Sequence, residues 1–304
     1  MTTMTTGSVH HGFLLEHREE IPEIHSSVSL FTHTVLGCQV LAIKNNDPNK
    51  TFCVSFMTVP EDSTGVAHIL EHSVLMGSKK YPVKDVFGEI HKGGMMTFLN
   101  AMTGADTTWY PFATRNLTEY FNIMDVYCDA VFTPLLLRPT FEQDGWPSHQ
   151  AHEDDPLQFT GVVFNEMKGA YSDPIRALFH HTYQGLLPGS TYAHESGGDP
   201  HRIPDLSYEQ FVAFHRSHYH PANATFFFYG DAPLEEELAF VQERFLAACT
   251  TPVPRAGIVE GEPITRPVLI EESYPVQPGS PTAERTFIAL STLVGTARDR
   301  KLNA

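Results

Sequence analysis

The chain has 304 residues, of which 41% are hydrophobic and 18% charged, as is usual for a globular protein of one or two domains. Its 36 acidic and 20 basic residues give a net charge of −16, which argues against nucleic acid or an anionic membrane as partner and favours cationic peptides. No run of 18 apolar residues is present, so the sequence predicts no membrane span.

The first predicted elements are β-strands. Residues 26–43 and 51–58 are rich in β-branched and apolar side chains, which favour strands. Their closeness in the sequence predicts that they are neighbours in one sheet. The segment 60–65 follows with many turn-forming residues, and it includes Ser63 and Thr64 as available helix caps.

A helix predicted at about residues 65–76 carries the motif HILEH (68–72). At about 100° per residue, His72 lies ~40° to one side of His68 and Glu71 ~60° to the other, so all three can face one ion. Two neutral imidazoles suit Zn²⁺, and a carboxylate that does not bind the metal can accept a proton from water. The order H-x-x-E-H is the inverzincin signature, and the alternative is a solvated histidine face.

A long amphipathic helix is predicted at about residues 116–131. Asn116 and Glu119 have the spacing of a capping box at its start. Its apolar face consists of Leu117, Tyr120, Phe121, Met124, Tyr127, Cys128 and Val131. The spacing of these residues predicts a helix face packed in the core, not a cofactor site.

Glu166 is the candidate third metal ligand, since a peptidase zinc site takes three protein ligands. It lies in the run GVVFNEMKGA (161–170), where Asn165 is a plausible N-cap and Glu166 would stand in the first helical turn. Taken alone, this position is better explained as an ordinary acid at a helix start. The residues by themselves therefore leave the third ligand open.

The later elements continue the alternation of helices and strands. Ser207 and Gln210 form a second capping-box pattern, opening a helix that ends near Tyr219, and residues 225–229 indicate a strand. This alternation predicts an α+β domain.

Two other groups of residues are weaker candidates for sites. His215, His218 and His220 straddle a helix end and Pro221, so C-terminal helix histidines are preferred over a second metal site. The glycine-rich stretch 197–200 lacks the Lys and Ser/Thr of a phosphate loop, so we expect a backbone turn there.

The compartment is predicted from the N-terminus and the cysteines. No Lys or Arg precedes Arg18 and no long apolar run occurs there, so we expect neither a secretory signal nor an Arg-rich transit peptide. Cys38, Cys53, Cys128 and Cys249 show no C-x-x-C spacing and indicate reduced thiols. These features predict a cytoplasmic protein, with a mitochondrial or other organelle lumen as the alternative.

The C-terminal part has a different composition. Seven of the 22 prolines fall within residues 252–281, which indicates an irregular connection. We therefore expect a compact domain over residues 1–250, a Pro-rich linker over 251–285 and the start of a second domain over 286–304. Residues 286–294 predict one strand of that second domain.

The motif HILEH within residues 62–82, followed by VVFNEMKGA (162–170), resembles the pitrilysin and insulysin superfamily of metallopeptidases. Within it, the chain is most similar to the presequence protease and falcilysin branch. Further segments resemble the same branch in the same order: FLNAMT (98–103), WYPF (109–112), SGGDP (196–200), HYHPANA (218–224) and FFFYG (226–230). The resemblance covers about residues 10–245.

The resemblance implies a pitrilysin-like α+β fold, in which an antiparallel-type β-sheet packs with helices. Members of the superfamily are much longer, and their two halves close like a clam shell around the peptide. The second half lends Arg and Tyr side chains to the site, so this chain by itself is expected to be weakly active. By this likeness the chain is the N-terminal catalytic part of a longer protein, its partner is the missing C-terminal half, and residues 286–294 are the first strand of a truncated second domain.

The resemblance also implies a zinc-dependent endopeptidase that hydrolyses short or unstructured peptides. One zinc ion per chain would be held by His68, His72 and Glu166, with Glu71 as general base.

Two further residues follow from the resemblance alone. Asn100 and Ala101 would lie on the strand beside the site whose edge receives the substrate backbone. The alternative function is a truncated, non-catalytic homologue that binds zinc or peptide. A purely structural zinc site is disfavoured because Cys-rich ligation is absent and Glu71 would have no role.

Overall fold

Helices pack on one large β-sheet in the computed structural model of the protein, which describes residues 4–149, 158–262, 264–277 and 279–295. The strands are β1 (Val9–His10), β2 (Phe13–Ile21), β3 (Ser26–His33), β4 (Gln39–Lys44), β5 (Lys50–Met57), β6 (Phe98–Leu99), β7 (Met102–Thr103), β8 (Thr107–Thr114), β9 (Ser148–His149), β10 (Gln158–Phe159) and β11 (Ala224–Gly230). The helices are α1 (Val66–Val74), α2 (Val86–Gly93), α3 (Leu117–Phe132), α4 (Arg138–Asp144), α5 (Val162–Ala170), α6 (Pro174–Leu186), α7 (Tyr208–His218) and α8 (Leu234–Val241).

The main sheet has the spatial order β1-β2-β3-β4-β11-β5-β8-β6, and β7 also pairs with β8. Its neighbouring strands are antiparallel except for β11 and β4, which run parallel. Strands β9 and β10 form a separate antiparallel pair. The predicted α+β class is confirmed, and the sheet is of the expected antiparallel type apart from the one parallel pair.

Strand β11 corrects one expectation about this sheet. Residues 26–43 and 51–58 were expected to form neighbouring strands, but β11 lies between β4 and β5 and bonds to both. Its alternate residues are buried, and Phe226 and Phe228 pack against Phe52 with ring centroids 6.4 and 5.8 Å apart. An apolar strand of this kind is most stable inside a sheet, where both of its backbone edges are paired.

Helix α3 covers one face of the sheet with the apolar stripe predicted from its sequence, except that Leu117 at its start is 39% exposed. Tyr120, Met124 and Tyr127 are fully buried, and the helix contacts β5 and β8. Asn116 caps it by accepting the Glu119 N–H at 3.0 Å. The predicted cap is therefore confirmed, but the capping box is not complete, because the Asn116 N–H donates to Thr114 Oγ1 at 3.1 Å and not to the Glu119 side chain.

Helix α7 begins as predicted. Ser207 Oγ accepts the Gln210 N–H at 3.2 Å, and the Gln210 side chain accepts the Ser207 N–H at 2.9 Å. The capping box is therefore complete, and it ties the first turn of this helix together.

Helix α5 begins earlier than predicted. It starts at Val162 after Gly161, whose φ is +133°, and the Asn165 N–H already bonds to the Gly161 carbonyl at 3.0 Å. The predicted N-cap at Asn165 is wrong because Val163 and Phe164, which precede it, are already buried as part of the helix. Glu166 consequently lies one turn into α5 and not in its first turn.

The chain beyond the compact fold is irregular. Residues 247–262, 264–277 and 279–295 form neither helix nor strand. The strand expected at 286–294 is therefore not formed, because no strand of the described chain pairs with it, and Ile288 and Leu290 stay exposed. The predicted domain boundaries stay predictions. Among the described helices, none has both the length and the apolar character that crossing a membrane requires.

A buried charge joins three elements of the fold. Glu237 in α8 has no exposed surface, and its carboxylate accepts hydrogen bonds from Lys44 Nζ at 3.0 Å and from the Tyr120 hydroxyl at 2.7 Å. Burial raises the pKa of Glu237, while the Lys44 ammonium lowers it. A buried charge of this kind depends on its partners for compensation.

We expect Glu237→Ala to lower the free energy of unfolding by about 3–5 kcal/mol, because it leaves Lys44 and Tyr120 without their acceptor. The measurement is urea unfolding at pH 7 with chelator present. Glu236→Ala, at the exposed neighbouring position, is the control and should cost under about 1 kcal/mol. An equal decrease in the free energy of unfolding of both variants would contradict the stabilising role given to the buried pair.

Candidate metal centre

Helix α1 brings two histidines and one glutamate to the same end of a cleft. His68 and His72 are one turn apart, and their rings meet edge to face with centroids 5.1 Å apart. His68 and Glu71 are buried, whereas the side chain of His72 is 25% exposed. The helix packs against α4, α7, β7 and β8. The spacing of these residues on a helix therefore brings them together as the sequence predicts.

The start of α1 is fixed by close packing and not by a side-chain cap. Gly65 is the N-cap with φ +72°, and a Cβ atom on it would lie 2.7 Å from the Gly198 Cα. Ser63 and Thr64, the caps that the sequence offered, have other partners. Ser63 Oγ accepts the Glu195 N–H at 3.1 Å, and the Thr64 hydroxyl donates to the carboxylate two residues before it. Only glycine fits this contact.

A backbone carbonyl fixes the tautomer of His68. Its Nδ1 lies 2.9 Å from the Gly197 carbonyl oxygen, and a carbonyl can only accept, so Nδ1 carries the proton. In the neutral ring the Nε2 lone pair is then free to bind a metal ion. This arrangement is the usual one for metal-ligating histidines.

Glu166 completes a group of three donors. Its Oε2 lies 3.6 Å from His68 Nε2 and 3.8 Å from His72 Nε2. Donors bound at about 2.1 Å in a tetrahedron lie about 3.4 Å apart, so these distances fit one zinc ion. Within the described residues, this is the one group of three or more His, Cys, Asp or Glu whose donor atoms could hold a metal ion together.

Burial keeps the His72 ring in its ligating form. It lowers the pKa of His72, and the neighbouring His68 lowers it further, whereas the Glu166 carboxylate raises it. The net direction is downward, so the ring is neutral at pH 7 and its lone pair is available.

Glu71 stands beside this group and is held by a different partner. The Thr103 hydroxyl in β7 donates to its Oε2 at 2.7 Å. Burial raises the pKa of Glu71, and the negative charge of Glu166 adds to the effect, while the Thr103 hydrogen bond opposes it. The result is a carboxylate whose affinity for a proton is higher than usual.

The two expected substrate-contacting residues lie at the rim of the same cleft. Asn100 and Ala101 were expected on a strand, but they fall between the short strands β6 and β7. The Asn100 N–H donates to the Pro111 carbonyl at 3.1 Å, and its own carbonyl accepts from the Tyr127 hydroxyl at 3.3 Å. Their contact with substrate stays a prediction.

The cleft has a volume of about 1410 Å³ and is lined by the candidate metal ligands, by Asn100 and Ala101, and by one side of α6. Helix α6 contributes three exposed apolar side chains at helical spacing, Ile175, Phe179 and Tyr183. Acidic side chains also line it: Glu71, Asp85, Glu166, Asp173 and Glu195. The space suits an extended segment of polypeptide.

Some of the residues that shape the site were missed at the sequence level. Thr103 lies in the segment FLNAMT (98–103), but the sequence offers no sign that it bonds to Glu71. The sequence around Gly197 predicts only a backbone turn and gives no sign that the Gly197 carbonyl orients His68.

The three histidines at the C-terminal end of α7 and just after it have separate partners. His215 Nε2 lies 2.9 Å from the Val131 carbonyl, and His218 stacks on Phe214 with centroids 3.8 Å apart. His220 Nδ1 accepts the N–H of Ala222 at 3.1 Å.

Two protein-family models match the chain. The model described as insulinase (peptidase family M16) matches residues 56–154, which include all of α1. The model described as the peptidase M16 inactive domain matches residues 205–296.

The chain is also similar to known proteins. It is 45% identical over 267 residues to presequence protease 1, chloroplastic/mitochondrial, of Arabidopsis thaliana, covering 87% of this chain and 25% of that protein. It is 46% identical over 241 residues to protein HypA of Clostridium perfringens, covering 79% of this chain and 25% of that protein. Its fold is similar to the crystal structure of pitrilysin, with a TM-score of 0.62 and 20% identity. The match covers 83% of this chain and 26% of pitrilysin. The chain spans about a quarter of the length of these proteins.

A second buried carboxylate supports α1 from behind. Asp144 in α4 has no exposed surface, its Oδ2 accepts the Ser73 hydroxyl at 2.9 Å, and its Oδ1 has no partner among the described residues. Burial raises the pKa of Asp144 to about 6. The ionised form is therefore disfavoured in the folded protein.

This shift predicts a stability that depends on pH. The folded pKa of about 6 exceeds the usual value of 3.8, so the wild type loses stability as the pH rises between those values. Asp144→Asn cannot ionise, and we expect it to exceed the wild type by roughly 1–3 kcal/mol at pH 8, with no advantage at pH 4. Urea unfolding across this range, with chelator present, tests the expectation. A difference that does not change with pH would contradict it.

Proposed function

Because this chain belongs to the insulinase family of peptidases (family M16), within its presequence protease branch, we propose that it is the catalytic domain of a zinc-dependent endopeptidase. One observation carries the proposal. The donor atoms of His68, His72 and Glu166 converge from two separate helices at distances that suit one zinc ion, and Glu71 stands next to them.

The three proposed ligands leave a fourth position for water or substrate, as in catalytic zinc sites. A zinc ion bound there would supply Lewis acidity, which acidifies water and polarises a carbonyl group. His68 is oriented for this role by Gly197, and the neutral state of His72 is favoured by burial.

Glu71 is the proposed general base. Its raised pKa and its fixed position support the transfer of a proton from the attacking water to the carboxylate, and then to the nitrogen of the leaving amine. The Thr103 hydroxyl keeps the carboxylate turned toward the cleft wall formed by β7. No covalent bond between enzyme and substrate is required in this scheme.

The proposed substrates are short or unstructured peptides. An open cleft of about 1410 Å³ beside a sheet edge can take an extended chain, whereas a folded protein would not enter. We propose that Asn100 and Ala101 contact the peptide backbone at this edge. The acidic residues of the cleft and the net charge of −16 favour cationic peptides.

The expected compartment and the expected partner of the chain stay predictions. They are the cytoplasmic location, its organelle alternative and a C-terminal half as partner. The name of the Arabidopsis thaliana relative points to organelles for that protein, which favours the alternative.

We expect the chain to bind one zinc ion and His72→Ala to lose most of it, because two remaining ligands make a weak site. Elemental analysis of protein dialysed against trace zinc measures the content. His17→Ala, at a side chain that is 65% exposed and far from α1 in the sequence, is the control and should keep its metal. Unchanged zinc in His72→Ala would show that the ligands are assigned wrongly.

We expect Glu71→Gln to keep zinc while the turnover of an unstructured cationic peptide falls by a factor on the order of 10² to 10⁴, because the amide cannot accept the proton. The assay compares peptide cleavage with and without chelator, and Glu61→Gln, an exposed carboxylate ahead of α1, is the control. A Glu71→Gln variant that holds zinc and cleaves the peptide as fast as the wild type would contradict the role proposed for Glu71.

A further inference from the structure

The Glu195 carboxylate lies in the wall of the cleft, where donors from three places in the chain meet it. Its Oε1 accepts the Gly197 N–H at 3.2 Å and an Arg176 N–H at 3.3 Å, and its Oε2 accepts the Tyr171 hydroxyl at 2.8 Å. The His180 ring lies 3.7 Å from Oε2. The side chain is 14% exposed, so its charge is stabilised mainly by these partners.

One side of this network leads to His68. Glu195 holds the N–H of Gly197, and the carbonyl of the same residue receives the His68 Nδ1 proton at 2.9 Å. The loop is also tied to the turn before α1, since the Asp199 N–H donates to the Ser63 carbonyl at 2.9 Å. The peptide group that carries this carbonyl is itself held by the Glu195 backbone, since the Gly198 N–H donates to the Glu195 carbonyl at 3.0 Å. Glu195 therefore restrains both sides of the residue that sets the tautomer and orientation of a proposed zinc ligand.

The other side leads to Glu166. Tyr171 is the residue directly after α5, and Arg176 lies in the first turn of α6, so Glu195 binds the corner between the two helices. Met167, next to Glu166, packs on the loop, where a Cβ atom added to Gly197 would meet its Cε at 2.9 Å. The helix that carries the third ligand is thus joined to the loop that orients the first.

We infer that Glu195 is a positioning residue for the metal site, which holds α5 and the loop 196–198 in the register that sets the separation between His68 Nε2 and Glu166 Oε2. This inference rests on the proposed zinc site and deepens it. The separation is 3.6 Å, and a zinc site tolerates errors of only about 0.2 Å in its ligand distances. Tight zinc binding accordingly depends on a carboxylate that does not touch the metal.

A residue that only stabilises the fold would behave differently. Its loss would lower the melting temperature of the metal-free protein and leave the zinc affinity of the folded molecules unchanged. A positioning residue changes the zinc dissociation constant of protein that is still folded. The two roles are therefore separated by measuring both quantities on the same variants.

The test uses the full 304-residue chain with Glu195→Gln, which has nearly the same shape. One end of its amide is an NH2 group, which cannot accept a hydrogen bond, so either the Tyr171 hydroxyl or the Arg176 and Gly197 N–H groups lose their acceptor. The negative charge that pairs with Arg176 is lost in both orientations. We expect the zinc dissociation constant, measured by competition with a chromophoric chelator, to rise about 10- to 100-fold. The visible spectrum of the Co²⁺-substituted chain should also change, since it reports the coordination geometry.

Two further variants complete the experiment. Tyr171→Phe removes one hydroxyl and keeps the ring, so it should fold, and it should raise the zinc dissociation constant roughly 2- to 10-fold. Glu209→Gln is the matched control, because this carboxylate is exposed and pairs with Arg138, and neither residue lines the cleft. It should leave the zinc affinity unchanged.

The outcomes separate this inference from the proposed function. A wild-type chain that binds no zinc would overturn the proposed function itself. A wild-type chain that binds zinc, together with folded Glu195→Gln and Tyr171→Phe variants that bind it equally well, would overturn only the role given to Glu195. A lower melting temperature of metal-free Glu195→Gln with an unchanged dissociation constant would likewise show a merely structural residue.

Discussion

The burial of α1 is the constraint on which the rest of the site depends. Eight of its nine residues are buried, and two of these eight are His68 and Glu71. Polar groups of this kind are costly inside a protein unless they find hydrogen-bond partners. Each partner comes from a different element: Gly197 from the loop before α7, and Thr103 from β7. The helix can therefore occupy the core only when the surrounding elements are assembled around it.

The same burial prepares two chemically different groups. Desolvation disfavours the charged form of any titratable side chain, so it lowers the pKa of His72 and raises that of Glu71. For the imidazole, the neutral form is the one that binds a metal ion. For the carboxylate, the shift strengthens its attraction for a proton. One physical effect thus prepares both the proposed ligand and the proposed base, which are neighbours in the sequence.

The local part of the site could be predicted from the sequence, and the long-range part could not. Helical spacing alone brings His68, Glu71 and His72 to one face, because positions three and four apart are neighbours on any α-helix. Glu166 required a resemblance to other sequences, since nothing in its local pattern distinguishes it from an ordinary helical acid. The partners Thr103 and Gly197 depend on tertiary contacts and left no mark in the residue pattern.

In the fold, too, local features could be predicted from the sequence and long-range contacts could not. Capping residues such as Asn116 and Ser207 were predicted correctly, because a cap is satisfied within four residues of chain. The start of α5 was misjudged because Asn165 competes with Gly161, whose backbone conformation and close packing decide where the helix begins. Strand order was misjudged because β11 pairs with strands that lie far away in the sequence.

The place of β11 in the sheet has a consequence for biosynthesis. A ribosome releases β4 and β5 long before Ala224–Gly230, and until then each of these strands has one backbone edge without its final neighbour. Such edges, on strands with apolar faces, can pair with other chains. The nascent polypeptide therefore passes through a long interval in which its central sheet is open. Molecular chaperones that shield such edges would have most to protect during that interval.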